Sequence, residues 1–205
     1  MNLEEEKRVY IRSDCITFRK TTEQFGGLSN MASGYPIVVN NTLIKSSEAL
    51  YQALRYPHLP YVQSQIINES SPMTAKMISK KYHAQSRSDW EKIKIPIMKW
   101  VLRVKLSQNM ETFGKLLLAT DSKDIVEESK KDSFWGAKVI EDRLEGVNVL
   151  GRLLMELRTL YQKHDMNVVV SLKIDDFKLF NHQIVHVTAK DKENYKFNNG
   201  LLKGM

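Results

Sequence analysis

The sequence predicts a mixed α+β fold, mainly helical and in one domain, with a few short strands. Apolar residues recur at helical spacing in two long segments, residues 90–108 and residues 150–161. Short apolar runs such as residues 168–170 (VVV) have the length of strands. Because helical segments do not alternate regularly with strand segments, a doubly wound parallel sheet is not indicated. The length of 205 residues favours one domain.

The first part of the chain contains the first predicted strands. Residues 9–18 alternate loosely between apolar and polar and predict an early strand, and the glycines of residues 25–30 predict a loop. Residues 36–44 predict a hairpin with Asn40 and Asn41 at its turn, since asparagine tolerates the positive φ that tight hairpin turns require.

Helices are predicted from Ser46 onward. Ser46 suits the N-cap of a helix that runs to about Arg55. Pro57 and Pro60 follow and prevent its extension.

Prolines also mark the next two helices. Ser71 and Pro72 place a serine at the cap and a proline at the first position of a helix. Pro96 lies inside the long helical pattern of residues 90–108 and is expected to kink or restart it. The remaining predicted elements are a helix over residues 113–119, a strand over residues 125–127, a helix over residues 150–161, extended segments over residues 167–174 and 184–187, and a charged, mobile end from residue 190.

The composition excludes several classes of protein. With 42% hydrophobic and 27% charged residues, the chain is an ordinary globular protein. No apolar run approaches the roughly 20 residues that span a bilayer, and the acidic N-terminus lacks a secretory core segment. Cys15 is the one cysteine, which fits a reducing compartment, so we expect a cytoplasmic protein. The net charge of +7 attracts phosphates and polynucleotides, although it also serves solubility alone.

No residue pattern indicates a metal or a cofactor. His182 and His186 stand four residues apart, as zinc ligands do on a helix, but the glutamate of that motif is absent and the residues between them favour a strand. The chain contains no P-loop and no GxGxxG motif. We therefore expect neither metal nor cofactor.

Two carboxylates and two tryptophans stand out by their context. Glu48 lies in the first turn of a predicted helix, where an acidic residue also stabilises the helix dipole. Asp132 lies among lysines and could equally be a solvated turn residue. Trp90 begins the long helix and could belong to the core. Trp135 precedes a glycine in a polar, lysine-rich segment, which suits a platform for stacking.

Several blocks of sequence occur together in the order typical of one family. The chain resembles the NADAR family, which includes the YbiA-like N-glycosidases, over about residues 16–162. Each block is weak alone, and together they are specific. The matching blocks are residues 25–32 (FGGLSNMA), 47–53 (SEALYQA), 71–76 (SPMTAK), 87–90 (RSDW), 98–105 (MKWVLRVK), 132–136 (DSFWG) and 148–158 (NVLGRLLMELR).

The resemblance implies a fold and an activity. The family fold is α+β and largely helical, and its members hydrolyse N-glycosidic bonds to a phosphorylated ribose. One branch acts on phosphorylated ribosylamino intermediates of riboflavin synthesis. Another is associated with DarT-like toxins, which attach ADP-ribose to bases in DNA, and removes that modification as an antitoxin. Residues 25–32 and 134–138 look closer to the toxin-associated branch, and residues 173–177 resemble an extension found there.

The resemblance also implies the domain limits and the site. We expect a NADAR domain over residues 1–163 and a partly extended C-terminal extension over residues 164–205. The motif positions give catalytic roles to Glu48, Asp132 and Trp90. The residues expected to bind substrate are Ser29, Asn30, Gln52, Arg55, Lys105, Trp135, Gly136, Lys138 and Asn148.

Cleavage of a ribose C1–N bond builds positive charge at C1, which a nearby carboxylate stabilises. We expect Glu48 to position or activate water, and Asp132 to hold the ribose and stabilise the cation. Trp90 and Trp135 would line the space around the base or stack on the base. Arg55 and Lys105 would hold phosphates or ribose hydroxyls.

The function predicted from the sequence is removal of ADP-ribose from a nucleobase in DNA, with guanine as the expected base and single-stranded DNA preferred. It would act as antitoxin to a DNA ADP-ribosyltransferase toxin and would not bind a membrane. Two alternatives remain open: an N-glycosidase of ribosylamino-pyrimidine phosphates of riboflavin synthesis, and a non-catalytic module that binds ADP-ribose or NAD.

Overall fold

The computed structural model describes residues 6–200 and confirms the mixed α+β, largely helical fold. The α-helices within these residues are α1 (Ser47–Ala53), α2 (Pro60–Asn68), α3 (Pro72–Lys81), α4 (Trp90–Ser107), α5 (Lys115–Leu118), α6 (Val149–Lys163) and α7 (Asp191–Asn198). The strands are β1 (Arg8–Ile11), β2 (Ile16–Phe18), β3 (Ile37–Val39), β4 (Thr42–Ile44), β5 (Ile125–Glu127), β6 (Lys138–Ile140), β7 (Arg143–Gly146), β8 (Val168–Val170), β9 (Lys178–Leu179), β10 (His182–Gln183) and β11 (His186–Thr188). Among the described residues, no helix combines the length and apolar character that crossing a membrane requires.

The residues group into two compact units. The first unit consists of Met1–Ser29 and Glu111–His164. The second unit consists of Asn30–Met110 and Asp165–Met205. The C-terminal residues therefore group with the central part of the chain, and the predicted domain limits at residues 163 and 164 stay a prediction.

The first unit is built on short strands and helix α6. Strand β7 pairs antiparallel with both β1 and β6, and β2 pairs parallel with β5. Asn148 lies immediately before α6 with a φ of 52°, and its side-chain Nδ2 donates to the Ile125 carbonyl at 2.8 Å. The α6 residue Gly151 approaches the same carbonyl so closely that a Cβ would lie 2.0 Å from it. The start of α6 is thus fixed tightly against β5.

The second unit is built on helices α1 to α4. Helix α1 packs against α2, α3 and α4, and α4 packs against β8 and β11. Strands β3 and β4 form the predicted hairpin, with positive φ at Asn40 and Asn41. Ser46 and Ser71 cap α1 and α3 as predicted, each accepting a hydrogen bond from the backbone N–H three residues later. Pro96 does not interrupt α4, which runs as one helix.

Side chains of the second unit's helices hold the C-terminal segment in place. Trp100 donates from Nε1 to the Val170 carbonyl at 3.0 Å, and its ring meets Phe177 edge-on with 4.9 Å between centroids. Arg87 donates to the Asp175 carbonyl at 2.6 Å. The Gln63 Oε1 accepts from the Phe180 backbone at 2.8 Å. Residues 170–180 are therefore part of this unit's packing.

The structure corrects the strand predicted over residues 9–18. These residues form two strands, β1 and β2, separated by a 3-10 turn over Arg12–Asp14. The two strands have different partners, since β1 pairs with β7 and β2 with β5. A local alternation pattern carries no information about a change of partner.

Several further elements differ from the sequence prediction. Helix α2 was missed, although Pro60 is its first residue, where a proline loses no intrahelical hydrogen bond. The helix predicted over residues 113–119 is a π-helix over Met110–Gly114 followed by the short α5. Strands β6 and β7 were also missed, because β6 is exposed throughout and its residues lack an alternating pattern.

The end of the described chain is helical, whereas the sequence predicted a mobile end from Lys190. Helix α7 begins at Asp191, whose carboxylate accepts hydrogen bonds from the Thr188 backbone at 2.8 Å and the Thr188 hydroxyl at 2.6 Å. These bonds join the first residue of α7 to Thr188, the last residue of β11. The final residues 201–205 lie outside the described residues.

Candidate functional site

Glu48 is a buried carboxylate on a buried helix. Every residue of α1 is buried, and Glu48 is 5% exposed. Gln52, one helical turn later on the same face, donates from Nε2 to Glu48 Oε1 at 2.8 Å. The carboxylate of Glu48 is therefore held in one orientation by its own helix.

A chain of buried hydrogen bonds fixes the orientation of Gln52 in turn. Ser79 on α3 donates from its hydroxyl to Gln52 Oε1 at 2.6 Å. Tyr56 donates from its hydroxyl to the Ser79 carbonyl at 2.7 Å. Because Gln52 accepts through its oxygen, its amide group must face Glu48 as a donor. The packing of α3 on α1 thus determines which group meets the carboxylate.

Burial changes the acidity of Glu48. Desolvation raises the pKa of the Glu48 carboxyl, while the charge of Lys76 and the hydrogen bond from Gln52 act in the opposite direction. A carboxyl whose pKa is moved toward neutrality can be present both as acid and as base, which is a property of general acid–base groups. The sequence could place Glu48 early in a helix but could not show this burial.

Three of the polar side-chain atoms that are buried without a hydrogen-bond partner belong to α1, to the residues just after it or to the loop before β3. They are Asn30 Oδ1, Ser47 Oγ and Arg55 Nε. Ser47 precedes Glu48 in the chain, and the Glu48 backbone N–H donates to the Asn30 carbonyl at 3.3 Å. A buried polar atom without a partner costs about 1–3 kcal/mol, so such a group requires an explanation beyond folding.

Trp90 lies at the start of α4 against residues of α1. Its ring packs on Tyr51 with 5.1 Å between centroids, and the Arg55 guanidinium lies 4.6 Å from the Trp90 ring centroid. Arg55 also places Nη1 at 2.6 Å from His83 Nε2. The structure therefore places Trp90 against Tyr51 of α1 and against Arg55, which follows α1, whereas Glu48 and Gln52 are bonded to each other and, through Ser79, to α3.

Lys105 is a fully buried lysine on α4. It is 0% exposed, its Nζ lies 4.6 Å from the Tyr35 ring centroid, and burial lowers its pKa to about 7. Met98, two turns earlier on the same helix, has its sulfur 2.7 Å from Asn30 Nδ2. A spacing of seven residues is about two turns, so Met98 and Lys105 share one face of α4. The prediction that Lys105 binds a phosphate stays a prediction.

Asp132 belongs to the first unit and has a different environment. It is exposed, and its Oδ1 accepts hydrogen bonds from the backbone N–H groups of Phe134 and Trp135, each at 2.9 Å. The rings of Phe134 and Trp135 meet edge-on at 5.3 Å. The Asp132 side chain therefore shapes the turn that presents Trp135, which is half-buried.

The loop after Asp132 is joined to the start of α6. The Asn148 backbone N–H donates to the Gly136 carbonyl at 3.1 Å, and Leu150 donates to the Trp135 carbonyl at 3.0 Å. A Cβ on Gly136 would lie 2.4 Å from the Glu127 carbonyl oxygen, so this position requires glycine. Asn148 is fully buried and bonds the backbone of β5 through both its amide nitrogen and its oxygen.

The remaining predicted site residues have contrasting positions. Lys138 is exposed on β6, and Ser29 is 3% exposed at the end of the glycine-rich loop. In the first unit, the structure brings together Asp132, Trp135, Gly136 and Asn148 through backbone contacts. Their roles in binding substrate stay predictions.

Several residues of the second unit were not anticipated as part of the site. They are Ser47, Tyr51, Tyr56, Lys76, Ser79 and His83. Lys76 and Ser79 lie in or near a family block, but nothing in the sequence shows that α3 faces Glu48. Among the described residues, no group of three histidine, cysteine or acidic side chains is arranged to hold a metal ion.

Comparison with known proteins gives consistent results. The model of the NADAR domain matches residues 17–161. The chain is 36% identical to the N-glycosidase YbiA of Escherichia coli over 143 residues, which cover 70% of this chain and 86% of that protein. It is 33% identical to a riboflavin biosynthesis protein of Vibrio vulnificus over 174 residues, which cover 84% of this chain and 45% of that protein. The NMR structure of E. coli YbiA superposes with a TM-score of 0.63 at 34% identity, covering 74% of this chain and 90% of that one.

Proposed function

Because the chain belongs to the NADAR domain family, we propose that it is an N-glycosidase that hydrolyses the bond between ribose C1 and a nitrogen atom. The observation that carries this proposal is the buried, oriented carboxylate of Glu48, next to buried polar atoms that lack a protein partner. The similarity to proteins named N-glycosidase YbiA, which spans most of both chains, supports the same reaction.

In the proposed reaction, Glu48 accepts a proton from one water molecule, which attacks C1. The C1–N bond breaks with its electron pair going to nitrogen, and the water oxygen adds to C1. Glu48 accepts a proton from that water as a carboxylate, and this proton is passed on to the leaving nitrogen, so that Glu48 is a carboxylate again at the end of the cycle. Charge builds at C1 before water adds, and a nearby carboxylate stabilises it. Gln52 keeps the Glu48 oxygen in place throughout.

The Glu48 surroundings supply the other requirements. Asn30 Oδ1 and Ser47 Oγ are available to bond hydroxyl groups of the sugar. Trp90 is an aromatic wall beside Arg55. The predicted role of Asp132 in holding the ribose is proposed on its motif position alone, and the Asp132 variants described in the Discussion test it.

For the substrate, we propose ADP-ribose attached to a base in DNA, with guanine as the expected base. The support is the resemblance of residues 25–32 and 134–138 to the toxin-associated branch, together with the net charge of +7. In this proposal the protein acts as antitoxin to a DNA ADP-ribosyltransferase toxin. Single-stranded DNA is the preferred form, because a base in a duplex must first be exposed at a cost of a few kcal/mol.

A second candidate substrate is a ribosylamino-pyrimidine phosphate of riboflavin synthesis. It is favoured by the Vibrio vulnificus relative, whose name places it in riboflavin biosynthesis and which matches 84% of this chain. This chain spans 45% of that protein, so only part of the relative is compared.

One experiment distinguishes these candidates. The protein is incubated separately with ADP-ribosylated single-stranded DNA and with the ribosylamino-pyrimidine phosphate, and released base is measured against time. We expect multiple turnovers on the modified DNA, and none with Glu48→Gln. Faster turnover of the pyrimidine phosphate would put the second candidate first. Stoichiometric binding without released base would show a non-catalytic ADP-ribose-binding module instead.

Salt dependence tests the DNA contact itself. Phosphate contacts release counterions, so the Michaelis constant for the oligonucleotide should rise with salt more steeply than that for a small ribosylated nucleotide. The exposed Lys130 and Lys131 flank Asp132 and are the proposed contacts. Replacing both with alanine should raise the Michaelis constant for the oligonucleotide and leave kcat unchanged. An identical response of both substrates would rule out this contact.

A further inference from the structure

Four nitrogen-bearing side chains surround the end of α3. Lys76 and Lys80 are one helical turn apart on α3, and both are exposed. His83 follows in a 3-10 turn over His83–Gln85. Arg55, just after α1, places Nη1 at 2.6 Å from His83 Nε2. None of the four is assigned to catalysis, and only Arg55 was expected to bind substrate.

The charges that act on His83 are all positive. The charges that act on His83 are those of Arg55, Lys80 and Lys76, and together with burial they lower the pKa of the imidazole. Arg55 can only donate hydrogen bonds, so His83 Nε2 must be the acceptor and the imidazole is neutral. Among the described residues, no ion pair joins any of the four side chains to a carboxylate.

The Arg55 side chain has one donor that is left without a partner. Its guanidinium lies on the Trp90 ring, while its Nε is buried without a hydrogen-bond partner. Arginine presents a fork of donors that matches the oxygens of a phosphate. A cluster of positive groups that makes no ion pair, and contains an unpartnered donor, is the arrangement expected around an anionic ligand.

The location of the cluster connects it to Glu48. Lys76 is close enough for its charge to lower the Glu48 pKa, and Arg55 lies on Trp90 in the same unit. Lys76 therefore links the cluster electrostatically to Glu48. A ribose whose C1 lies at Glu48 carries its 5′-phosphate on the far side of the ring.

We propose that Arg55, Lys76, Lys80 and His83 form an anion subsite for the phosphate attached to the ribose, and that occupation of this subsite protonates His83. The proposal rests on the proposed function, because it takes the substrate to be a ribose phosphate. The phosphate supplies negative charge beside His83, so His83 can turn from an acceptor for Arg55 into a cationic donor. Anion binding and proton binding at His83 then strengthen each other.

The test measures binding without turnover. The full chain is titrated with ADP-ribose, with ribose 5-phosphate and with ribose as the uncharged control, while the His83 imidazole signals are followed by NMR as a function of pH. We expect both phosphates to raise the pKa of His83, and ribose to leave it unchanged. Tighter binding of ADP-ribose would identify a pyrophosphate as the preferred group, and equal binding would identify the single 5′-phosphate.

A matched pair of variants separates the subsite from the general positive field. Lys80→Gln and Lys81→Gln remove the same charge from neighbouring exposed positions of α3, but only Lys80 is among the charges that act on His83. We expect Lys80→Gln to weaken phosphate binding about tenfold, the effect of one charge-assisted hydrogen bond. Lys81→Gln should leave binding unchanged. Equal effects of the two variants would overturn the proposal.

His83→Gln isolates the protonation step. Glutamine can still accept from Arg55 but cannot take up a proton in the range of pH used. ADP-ribose, whose pyrophosphate does not titrate in this range, should bind the wild type about tenfold more tightly at pH about 5.5 than at pH about 8, and this dependence should be much smaller in His83→Gln. An unchanged pH dependence, or an unmoved His83 pKa, would overturn the proposal. Phosphate binding with no glycosidase activity would instead contradict the proposed function, and activity without binding at His83 would contradict only the subsite.

Discussion

Glu48 in the second unit and Asp132 in the first unit are both acidic residues at family motif positions, but they differ in burial and in hydrogen-bond partners. Glu48 is 5% exposed and receives one hydrogen bond from a side chain, Gln52. Asp132 is exposed, and one of its oxygens accepts two backbone N–H groups. The first carboxylate is desolvated and oriented, whereas the second organises a turn.

This difference separates a feature that indicates function from one that folding explains. Folding alone disfavours a buried carboxylate with a raised pKa, because its ionised form has lost water without gaining an ion pair. Folding alone does explain the bonds of Asp132, because they satisfy backbone groups in a turn. A destabilising feature that folding does not explain, such as a desolvated carboxylate, is a stronger indication of function than a hydrogen bond that satisfies the backbone.

The two tryptophans give the largest expected difference between the units. Trp90 is 4% exposed and packs on Tyr51 and Arg55, so Trp90→Ala should lower the free energy of unfolding by about 3–5 kcal/mol. Trp90→Phe retains a ring and should lose clearly less. Chemical denaturation of both variants measures this. A stable Trp90→Ala would mean that the ring contributes little to the packing of α4 on α1.

Glu48→Gln should separate activity from stability. Glutamine keeps the shape and can still accept from Gln52, so the fold remains, but turnover should fall at least about a hundredfold. The folded-state pKa of Glu48 is raised, so the stability it contributes is complete below the unfolded pKa of about 4.3 and is lost as pH rises through the folded pKa.

The variant lacks this titration, so its melting temperature should exceed that of the wild type increasingly as pH rises above about 4.3. Thermal unfolding at several pH values, beside released-base assays on the same samples, measures both effects. Near-normal turnover of the folded variant would remove Glu48 from the mechanism. A constant difference in melting temperature would show that Glu48 does not titrate as described.

Trp135 is half-buried, so Trp135→Ala should act mainly on substrate. If its ring stacks on a base, affinity should fall by about 1–3 kcal/mol. If the ring is only packed, thermal stability should fall while the affinity of the folded protein remains. Binding and unfolding are measured on one preparation, with Phe134→Ala as the control for loss of the edge-on ring contact.

Asp132 should give the smallest structural effect and the clearest test of its role. Asp132→Ala removes the acceptor of two backbone bonds and should destabilise the protein by about 1 kcal/mol. Asp132→Asn keeps a side-chain oxygen as acceptor and should restore most of this stability. Activity of Asp132→Asn then decides whether its charge stabilises the cation: full activity would restrict Asp132 to shaping the turn, and a loss comparable to that of Glu48→Gln would make the two carboxylates equal partners.

Local signals in the sequence determined several elements by themselves. The caps at Ser46 and Ser71, the turn at Asn40 and Asn41, and helix α6 depend on hydrogen bonds between residues three or four positions apart. The residues that make these interactions lie close together in the sequence, so the sequence alone predicts them. The family blocks likewise identified Glu48 as a candidate, and its bond to Gln52 follows from the spacing of one helical turn.

Tertiary packing decided the burial of Glu48 and the orientation of the Gln52 amide that bonds it. The sequence does not show that Ser79 on α3 turns the Gln52 amide toward Glu48, that Arg55 meets His83, or that Lys105 is fully buried. Its alternation pattern also predicted one strand where β1 and β2 pair with different partners. The physical reason is common to these cases: the free energy of a charge or a strand edge depends on the groups beside it in space, which belong to distant parts of the chain.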